Sequence, residues 1–267
     1  TKTELAMLDE QGVIKYRQRL ETDARNYKSI LKQLKRLVDN ARLFTDAEVS
    51  RVGICTPGAV SPFSGVIKNA NTTCLIGQSL QHDLEKAVGC ETRIANDADC
   101  FALSEAVDGA GAGCKTVFGV ILGTGVGGGI VVNGKLLGGP NAIAGEWGHN
   151  PLPWQRQEDN PLVDCYCGKK GCIETFLSGP GMIRDHAAHG GSKLDPPAIV
   201  KRATEGDEAC KETLERYVDR LARSLAGVIN ILDPDCIVLG GGMSNIGLLY
   251  EMVPECWSKY VFSDHVA

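Results

Sequence analysis

Gly145-Glu146-Trp147-Gly148-His149, followed after a polar, proline-bearing loop by Cys165-Tyr166-Cys167-Gly168-Lys169-Lys170-Gly171-Cys172-Ile173-Glu174, is the stretch from which the rest of the chain is read. It brings one imidazole and three thiols into a short span, the ligand composition of a closed tetrahedral zinc site. Cys165 and Cys167, separated by one residue, can offer both sulfurs to one ion only from an irregular loop. Gly168 and Gly171 permit the tight turns that return Cys172 to the same point. The alternative is four unrelated small buried residues, because eleven cysteines in one chain will cluster somewhere by chance. The glycines and flanking acids fit a metal loop and have no evident use in a core. Glu146 lies just before His149 and Glu174 just after Cys172, so a loop folded onto a metal carries both carboxylates to its rim. Two acids beside a fixed imidazole suit the hydroxyls of a small polyol. With His149, Cys165, Cys167 and Cys172 as four ligands, no position is left for chemistry on the metal, and its expected role is structural.

Outside this stretch the composition sets limits. A chain of 267 residues with 43% hydrophobic content is long enough for one large domain or two modest ones around a real core. The net charge of −5 comes without a Lys/Arg block, which argues against nucleic acid or an anionic membrane surface as the main partner. No apolar run reaches the length of a membrane span and no signal peptide is visible. Apart from residues 165–172 the cysteines sit in apolar runs such as Val52-Gly53-Ile54-Cys55, which suits small core residues in a reducing cytoplasm. The chain does not begin with Met, and Thr1 to Leu8 reads as the middle of a sheet element. Both ends read as cut.

Along the chain, residues 3–8 and 13–20 alternate as two strands around the turn Asp9-Glu10-Gln11-Gly12. Ile30, Leu31, Leu34, Leu37, Val38 and Ala41 keep helical spacing over 27–42. Residues 49–55 read as a buried strand, 79–89 as a helix and 92–95 as a short strand. Asn96-Asp97 falls where that strand gives way to a helix over 98–107, the usual active-site edge of an α/β sheet. The run Asp108-Gly109-Ala110-Gly111-Ala112-Gly113 marks the expected boundary between a domain at 1–107 and a larger one at 108–267. In the second, the strand 116–122 runs into the glycines of 123–129, and Asn133-Gly134 joins two further strands as a hairpin. Helices near 181–189, 198–205 and 209–232 follow, the last stopped by Asp233-Pro234. The strand 236–239 ends in Gly240-Gly241-Gly242, before a helix over 248–260.

Glycines directly after a buried strand let backbone amides approach phosphate oxygens that a Cβ would hold away. One such turn is equally a tight hairpin, but two in one domain, at 123–129 and 240–242, point to a nucleotide between them. Neither has the Walker spacing or a dinucleotide fingerprint. Asp97 is the candidate general base, and a plain helix N-cap is its alternative reading.

Asn96-Asp97-Ala98, Gly123-Thr124-Gly125, Glu146-x-Gly148-His149 and Cys165-x-Cys167-Gly168-x-x-Gly171-Cys172-x-Glu174 together resemble the ROK family of repressors and sugar kinases, over nearly the whole chain. The resemblance implies an α/β fold of the actin-like ATPase, hexokinase-type (ribonuclease H-like) class, with two domains and a cleft between them. It implies ATP-dependent phosphorylation of a hexose at its 6-hydroxyl. Thr56-Pro57-Gly58-Ala59-Val60-Ser61-Pro62, Lys68-Asn69-Ala70-Asn71 and residues 144–154 look most like the bacterial fructokinase branch, which makes fructose the expected substrate. N-acetylglucosamine, glucose or mannose kinases and a sugar-sensing repressor are the alternatives. Asp97 matches the family's catalytic base, with Asn96 beside it on the sugar. Glu146, His149 and Glu174 match its other sugar contacts, and His149, Cys165, Cys167 and Cys172 its zinc ligands. Gly123, Thr124, Gly125 and Gly127 resemble its second phosphate loop, Gly241 and Gly242 its adenosine-side turn, and Thr1 and Lys2 the end of its first phosphate loop, the rest of which would lie upstream. ATP with Mg²⁺, a structural Zn²⁺ and a homodimer are the implied cofactors and state. Position 99 is usually Asn in the family; Asp99 here is expected to add negative charge that raises the pKa of Asp97.

Overall fold

Alternation and helical periodicity, read over residues 2–23, 25–45, 49–70 and 72–266, become the elements of a computed structural model of the chain, which describes those residues. It resolves into two compact units, Thr1–Cys100 with Gly138–Ile143, and Phe101–Leu137 with Ala144–Ala267. Among the described residues no helix is long and apolar enough to cross a membrane.

In the first unit, β1 (Lys2–Leu8) and β2 (Ile14–Glu21) form an antiparallel hairpin. The Asp9 carboxylate fixes its turn by accepting the amides of Gln11 and Val13 at 3.0 and 2.9 Å. Helix α1 (Tyr27–Thr45) buries Ile30, Leu37, Val38 and Ala41 along one stripe, as the spacing predicts. Strand β3 (Arg51–Thr56) leads to the short antiparallel pair β4 (Ala59–Val60) and β5 (Ile67–Lys68). Helix α2 (Leu80–Val88) sets Leu84 and Val88 in a cluster with Val38, and its chain returns as β6 (Glu91–Asn96), parallel to β3 with Asn96 opposite Thr56. Helix α3 (Asp97–Asp108) starts at the next residue.

The division between the units falls inside α3, at Cys100/Phe101, earlier than the boundary expected at 107/108. The glycine run is instead a tight turn from α3 into the following strand. The Gly109 and Gly111 amides donate to the Glu105 carbonyl at 3.2 and 2.9 Å, and a Cβ on Gly111 would sit 3.0 Å from the Val117 methyls. The segment Gly138–Ile143 belongs to the first unit, where its Asn141 carbonyl accepts from Lys68 Nζ.

The second unit is built on a sheet of four strands, β7 (Thr116–Leu122), β8 (Val126–Val132), β9 (Lys135–Leu136) and, after the helices, β10 (Cys236–Gly240), in the order β10-β7-β8-β9. Strand β8 begins well before the expected residue 130. Its glycines pair straight across the ladder, with Gly127 opposite Ile121 and Gly129 opposite Gly119, so the glycine turn is only Gly123-Thr124-Gly125. Asn133-Gly134 closes the next hairpin with positive φ at both residues, the primed turn that its sequence predicts. Helices α4 (Ile173–Leu177), α5 (Gly179–Ala188), α6 (Pro196–Thr204), α7 (Glu208–Leu232) and α8 (Leu248–Trp257) complete the unit. Helix α7 is the spine of the core. Its Leu214, Tyr217, Leu221 and Leu225 are buried in one cluster with Phe118, Leu122 and Leu177. Asp233, in the left-handed region, ends it ahead of Pro234.

Candidate functional site

In the first unit the sequence step from β6 to α3 places Asn96 and Asp97 at a strand's carboxyl end. Asn96 Oδ1 and Asp97 Oδ1 both accept the Ala98 amide, at 2.8 and 3.0 Å, so the capping of α3 is shared rather than left to Asp97. Asn96 also donates to the Gly58 carbonyl at 3.1 Å, which ties the strand end to the Thr56-Pro57-Gly58 loop. The Asp97 side chain reaches solvent but is crowded by the surrounding chain. That burial lifts its pKa above the ordinary carboxylate value, against the opposing pull of the Ala98 amide and its own. The direction is the expected one, but the cause is not Asp99, whose charge is felt by the Cys100 thiol instead.

In the second unit, Trp147 anchors the Gly145–His149 segment. It is buried, donates from Nε1 to the Gly127 carbonyl at 2.9 Å, and meets Phe118 edge-on. A Cβ on Gly148 would lie 2.1 Å from the Val126 carbonyl oxygen, so only glycine lets this turn lie against β8. The same turn carries Glu146 and His149, both half-buried. From the other side the loop 163–172 closes as a small knuckle. The Cys165 amide donates to the Lys169 carbonyl at 2.8 Å, the Gly168 amide to Cys165 at 3.0 Å and the Gly171 amide to Val163 at 2.9 Å, with positive φ at both glycines. The Ile173 amide then donates to the Asn150 carbonyl at 2.9 Å, which ties the end of the knuckle to the residue after His149.

The consequence is a cluster. One ligand atom from each of His149, Cys165, Cys167 and Cys172 lies within 4.8 Å of all the others. Cys165 Sγ is 3.6 Å from His149 Nδ1, and Cys167 Sγ is 3.6 Å from Cys172 Sγ. A zinc–sulfur bond of about 2.3 Å implies tetrahedral edges of about 3.8 Å, so these separations fit one ion and are far too long for disulfides. Burial, then the neighbouring thiols, push Cys172 up to about 12, so filling the cluster with a cation releases protons.

Glu174 is in the first turn of α4, which Ile173, Phe176 and Leu177 bury and which the Tyr217 hydroxyl holds through the Leu177 carbonyl at 2.8 Å. Its Oε2 accepts the Val126 amide at 2.9 Å, and a Cβ on Gly125 would come within 2.6 Å of it. Glu174 is thus set against the glycine turn as well as the knuckle. Tyr166, a residue that the sequence reading passed over, joins the group. Its hydroxyl is 3.0 Å from His149 Nε2, and although the ring is largely exposed, desolvation at the hydroxyl end followed by the charges of Glu174, Cys165 and Glu146 pushes its pKa up to about 12.

Both glycine turns lie at the same end of the parallel pair β10 and β7, where Gly240 stands opposite Ile121. Gly241 has φ of 83°, and a Cβ there would lie 2.4 Å from the Leu122 carbonyl oxygen, so the turns adjoin each other. Gly123 and Gly125 close the first turn through an amide–carbonyl bond of 2.9 Å, with Thr124 exposed at its tip. Gly242 opens a short 3₁₀ turn, and Gly127 lies in β8 outside the first loop. Lys2 opens β1 in the first unit, and Thr1 lies outside the described residues.

The sequence profile of the ROK family matches residues 1–266. The chain belongs to the ROK family. It is 39% identical over 260 residues to an N-acetyl-D-glucosamine kinase of Pasteurella multocida (strain Pm70), covering 96% of this chain and 85% of that protein. Among solved structures, it is similar to a ROK hexokinase from Thermus thermophilus, with a TM-score of 0.83 and 25% identity over 97% of this chain and 85% of that one. A ROK glucokinase from Streptomyces griseus, solved with glucose and AMPPNP, gives a TM-score of 0.77 and 27% identity over 98% and 87%. The fold of this ROK chain is therefore the hexokinase-type, actin-like α/β fold.

One set of residues in this ROK chain has no local sequence signal. Asp159, fully buried, accepts from Arg220 Nε at 2.8 Å and from Arg223 Nη1 at 3.1 Å, and both arginines lie on α7 with almost no exposure. Arg223 also donates to the Pro153 and Trp154 carbonyls at 3.1 and 2.6 Å. The long helix thereby fastens the loop that leads into the knuckle. Burial alone would raise the Asp159 pKa, but its hydrogen bonds with Arg223, the Arg156 amide and Arg220 outweigh it and hold the carboxyl below its usual value. A lowered folded pKa stabilises the protein above the unfolded pKa, and that stability is lost as pH falls through the folded one. Asp159→Asn removes the one carboxylate that both buried guanidiniums share, leaving Arg220 with Asp185 and Arg223 with Asp219, and is expected to lower stability by about 1.5–3 kcal/mol in urea unfolding. A change below about 1 kcal/mol would remove the cluster's assigned role.

Proposed function

We propose that this chain transfers the terminal phosphoryl group of ATP to the 6-hydroxyl of N-acetyl-D-glucosamine. It is a sugar kinase of the ROK family, and the curated kinases that resemble it over most of their length act on that amino sugar by name. Fructose, the substrate expected from the resemblance of residues 56–62, 68–71 and 144–154, is the second reading. The observation that carries the reading is the cluster of His149, Cys165, Cys167 and Cys172, with the Tyr166 hydroxyl on His149 Nε2 and the Glu174 carboxylate on the Val126 amide nearby in the same unit.

In this reading each side chain has one task except His149, which has two. Asp97 accepts the proton of the attacking hydroxyl as its oxygen bonds to the γ-phosphorus and ADP leaves. Glu146 and Glu174 accept hydrogen bonds from other sugar hydroxyls, and His149 Nε2 offers a further polar contact. Amides at the Thr124 tip of the first turn, closed beneath it by the Gly123 amide, and of the Gly240–Gly242 turn are the ones assigned to the nucleotide. Mg²⁺ accompanies ATP and offsets the negative charge of its phosphates. His149, Cys165, Cys167 and Cys172 would hold a Zn²⁺ that fixes the knuckle and takes no part in bond making.

A coupled ADP-release assay over a sugar panel tests the substrate. N-acetyl-D-glucosamine is expected to exceed fructose, glucose and mannose in kcat/KM by at least about tenfold, the size of a few missing contacts. Fructose as the best substrate would reinstate the second reading, and no ADP release with any sugar would remove the kinase reading. Gly125→Ala tests the carboxylate rim separately. The added methyl displaces Glu174 from the Val126 amide, so sugar affinity should fall about 10–100-fold with zinc content unchanged. Unaltered affinity would take Glu174 out of the sugar site.

A further inference from the structure

His149 divides its two ring nitrogens between two neighbours. Nδ1 faces the thiols, 3.6 Å from Cys165 Sγ, and Nε2 faces the Tyr166 hydroxyl at 3.0 Å. With a metal on Nδ1, the imidazole proton belongs to Nε2 and is donated to the phenol oxygen, which leaves the phenol's own proton to be donated elsewhere. Glu174 and Glu146 are the carboxylates whose charge reaches that phenol. An oxygen that accepts from an imidazole within the field of two carboxylates takes the contact that a sugar hydroxyl would take there. Tyr166 is also lightly held. It is 72% exposed, and its ring meets the imidazole edge-on at 5.1 Å and 89°. A side chain between two metal-ligand cysteines that reaches solvent on most of its surface is not a core residue.

We propose that Tyr166 is a built-in stand-in for a substrate hydroxyl: its oxygen occupies His149 Nε2 while no sugar is bound, and the incoming sugar displaces it. The inference rests on the sugar-site reading above. Tyr166 is then a residue that sets sugar affinity by competition, and removing its oxygen favours the bound state. Its ring keeps the imidazole from tilting, so the oxygen and the ring can be separated by experiment.

The test is calorimetric titration of N-acetyl-D-glucosamine into the zinc-loaded protein and into Tyr166→Phe, with zinc measured in both. Tyr166→Phe keeps the ring against His149 and deletes only the competing oxygen. The expected result is a Kd lower by about 3–10-fold, the size of one neutral hydrogen bond, with zinc content unchanged. An unchanged Kd would overturn the proposal. A raised Kd would overturn it too and make the phenol a direct sugar contact. Should the unsubstituted protein bind no sugar at all, the functional reading itself falls, an outcome distinct from sugar binding that the Phe variant leaves untightened.

Discussion

Asp97→Asn is expected to lower phosphoryl transfer by about 10²–10⁴-fold, the usual contribution of a positioned base, while sugar affinity stays within a few-fold. The amide is nearly the same size, can still accept the Ala98 amide, and shares that task with Asn96, so α3 keeps its start. What it loses is the basic oxygen. Because burial raises the Asp97 pKa, the base is protonated at a pH where an ordinary aspartate is ionised. The acid limb of the kcat profile should therefore lie above the usual carboxylate range. The same shift has a stability sign. A folded pKa above the unfolded one means that folding disfavours the charged form, so the penalty grows as pH rises and is fully present at neutral pH. Asp97→Asn should then raise Tm slightly while it removes activity. Turnover near normal would cancel the base assignment, and a lowered Tm would cancel the reading of its burial.

The second large effect is at the knuckle. The unsubstituted protein is expected to hold one zinc per chain and Cys172→Ala close to none, since loss of a ligand weakens a site more than the about 10–100-fold that an outer partner costs. Cys172 also precedes Ile173 at the start of α4, so release of the metal frees the turn that holds Glu174. Sugar affinity should fall with zinc. Buried Cys172 contributes packing as well, and the variant could fail for that reason alone; exposed Cys167 contributes none, so Cys167→Ser separates the two. If Cys167→Ser retains full zinc, or loses zinc without losing sugar affinity, the knuckle is not what carries the sugar contacts.

The knuckle was legible because its information is local. Cys-x-Cys, two glycines and a third cysteine specify a turn whose backbone bonds lie within ten residues, and the structure closes it as that spacing requires. Asn133-Gly134 and the apolar period of α7 are local in the same sense. Elsewhere tertiary contacts decide. The glycines of 127–129 read as loop because nothing nearby in sequence shows that β7 pairs with them, or that Trp147 packs there. Helix α4 is too short to show a period, and the pairing of Asp159 with Arg220 and Arg223 spans some sixty residues. Tyr166 was overlooked for another reason. Its neighbours in sequence are the ligands, and its function follows only from where its hydroxyl points. For sugar choice the resemblance of residues 56–62, 68–71 and 144–154 pointed to fructose, whereas the acids themselves carry no such signal, since they accept hydroxyls from any hexose.

Phosphorus NMR of the products formed from ATP and N-acetyl-D-glucosamine tests the central claim most directly. The account predicts ADP together with a single phosphomonoester whose phosphorus couples to the methylene protons of carbon 6. ADP with inorganic phosphate alone, or an ester at any other carbon, would contradict it.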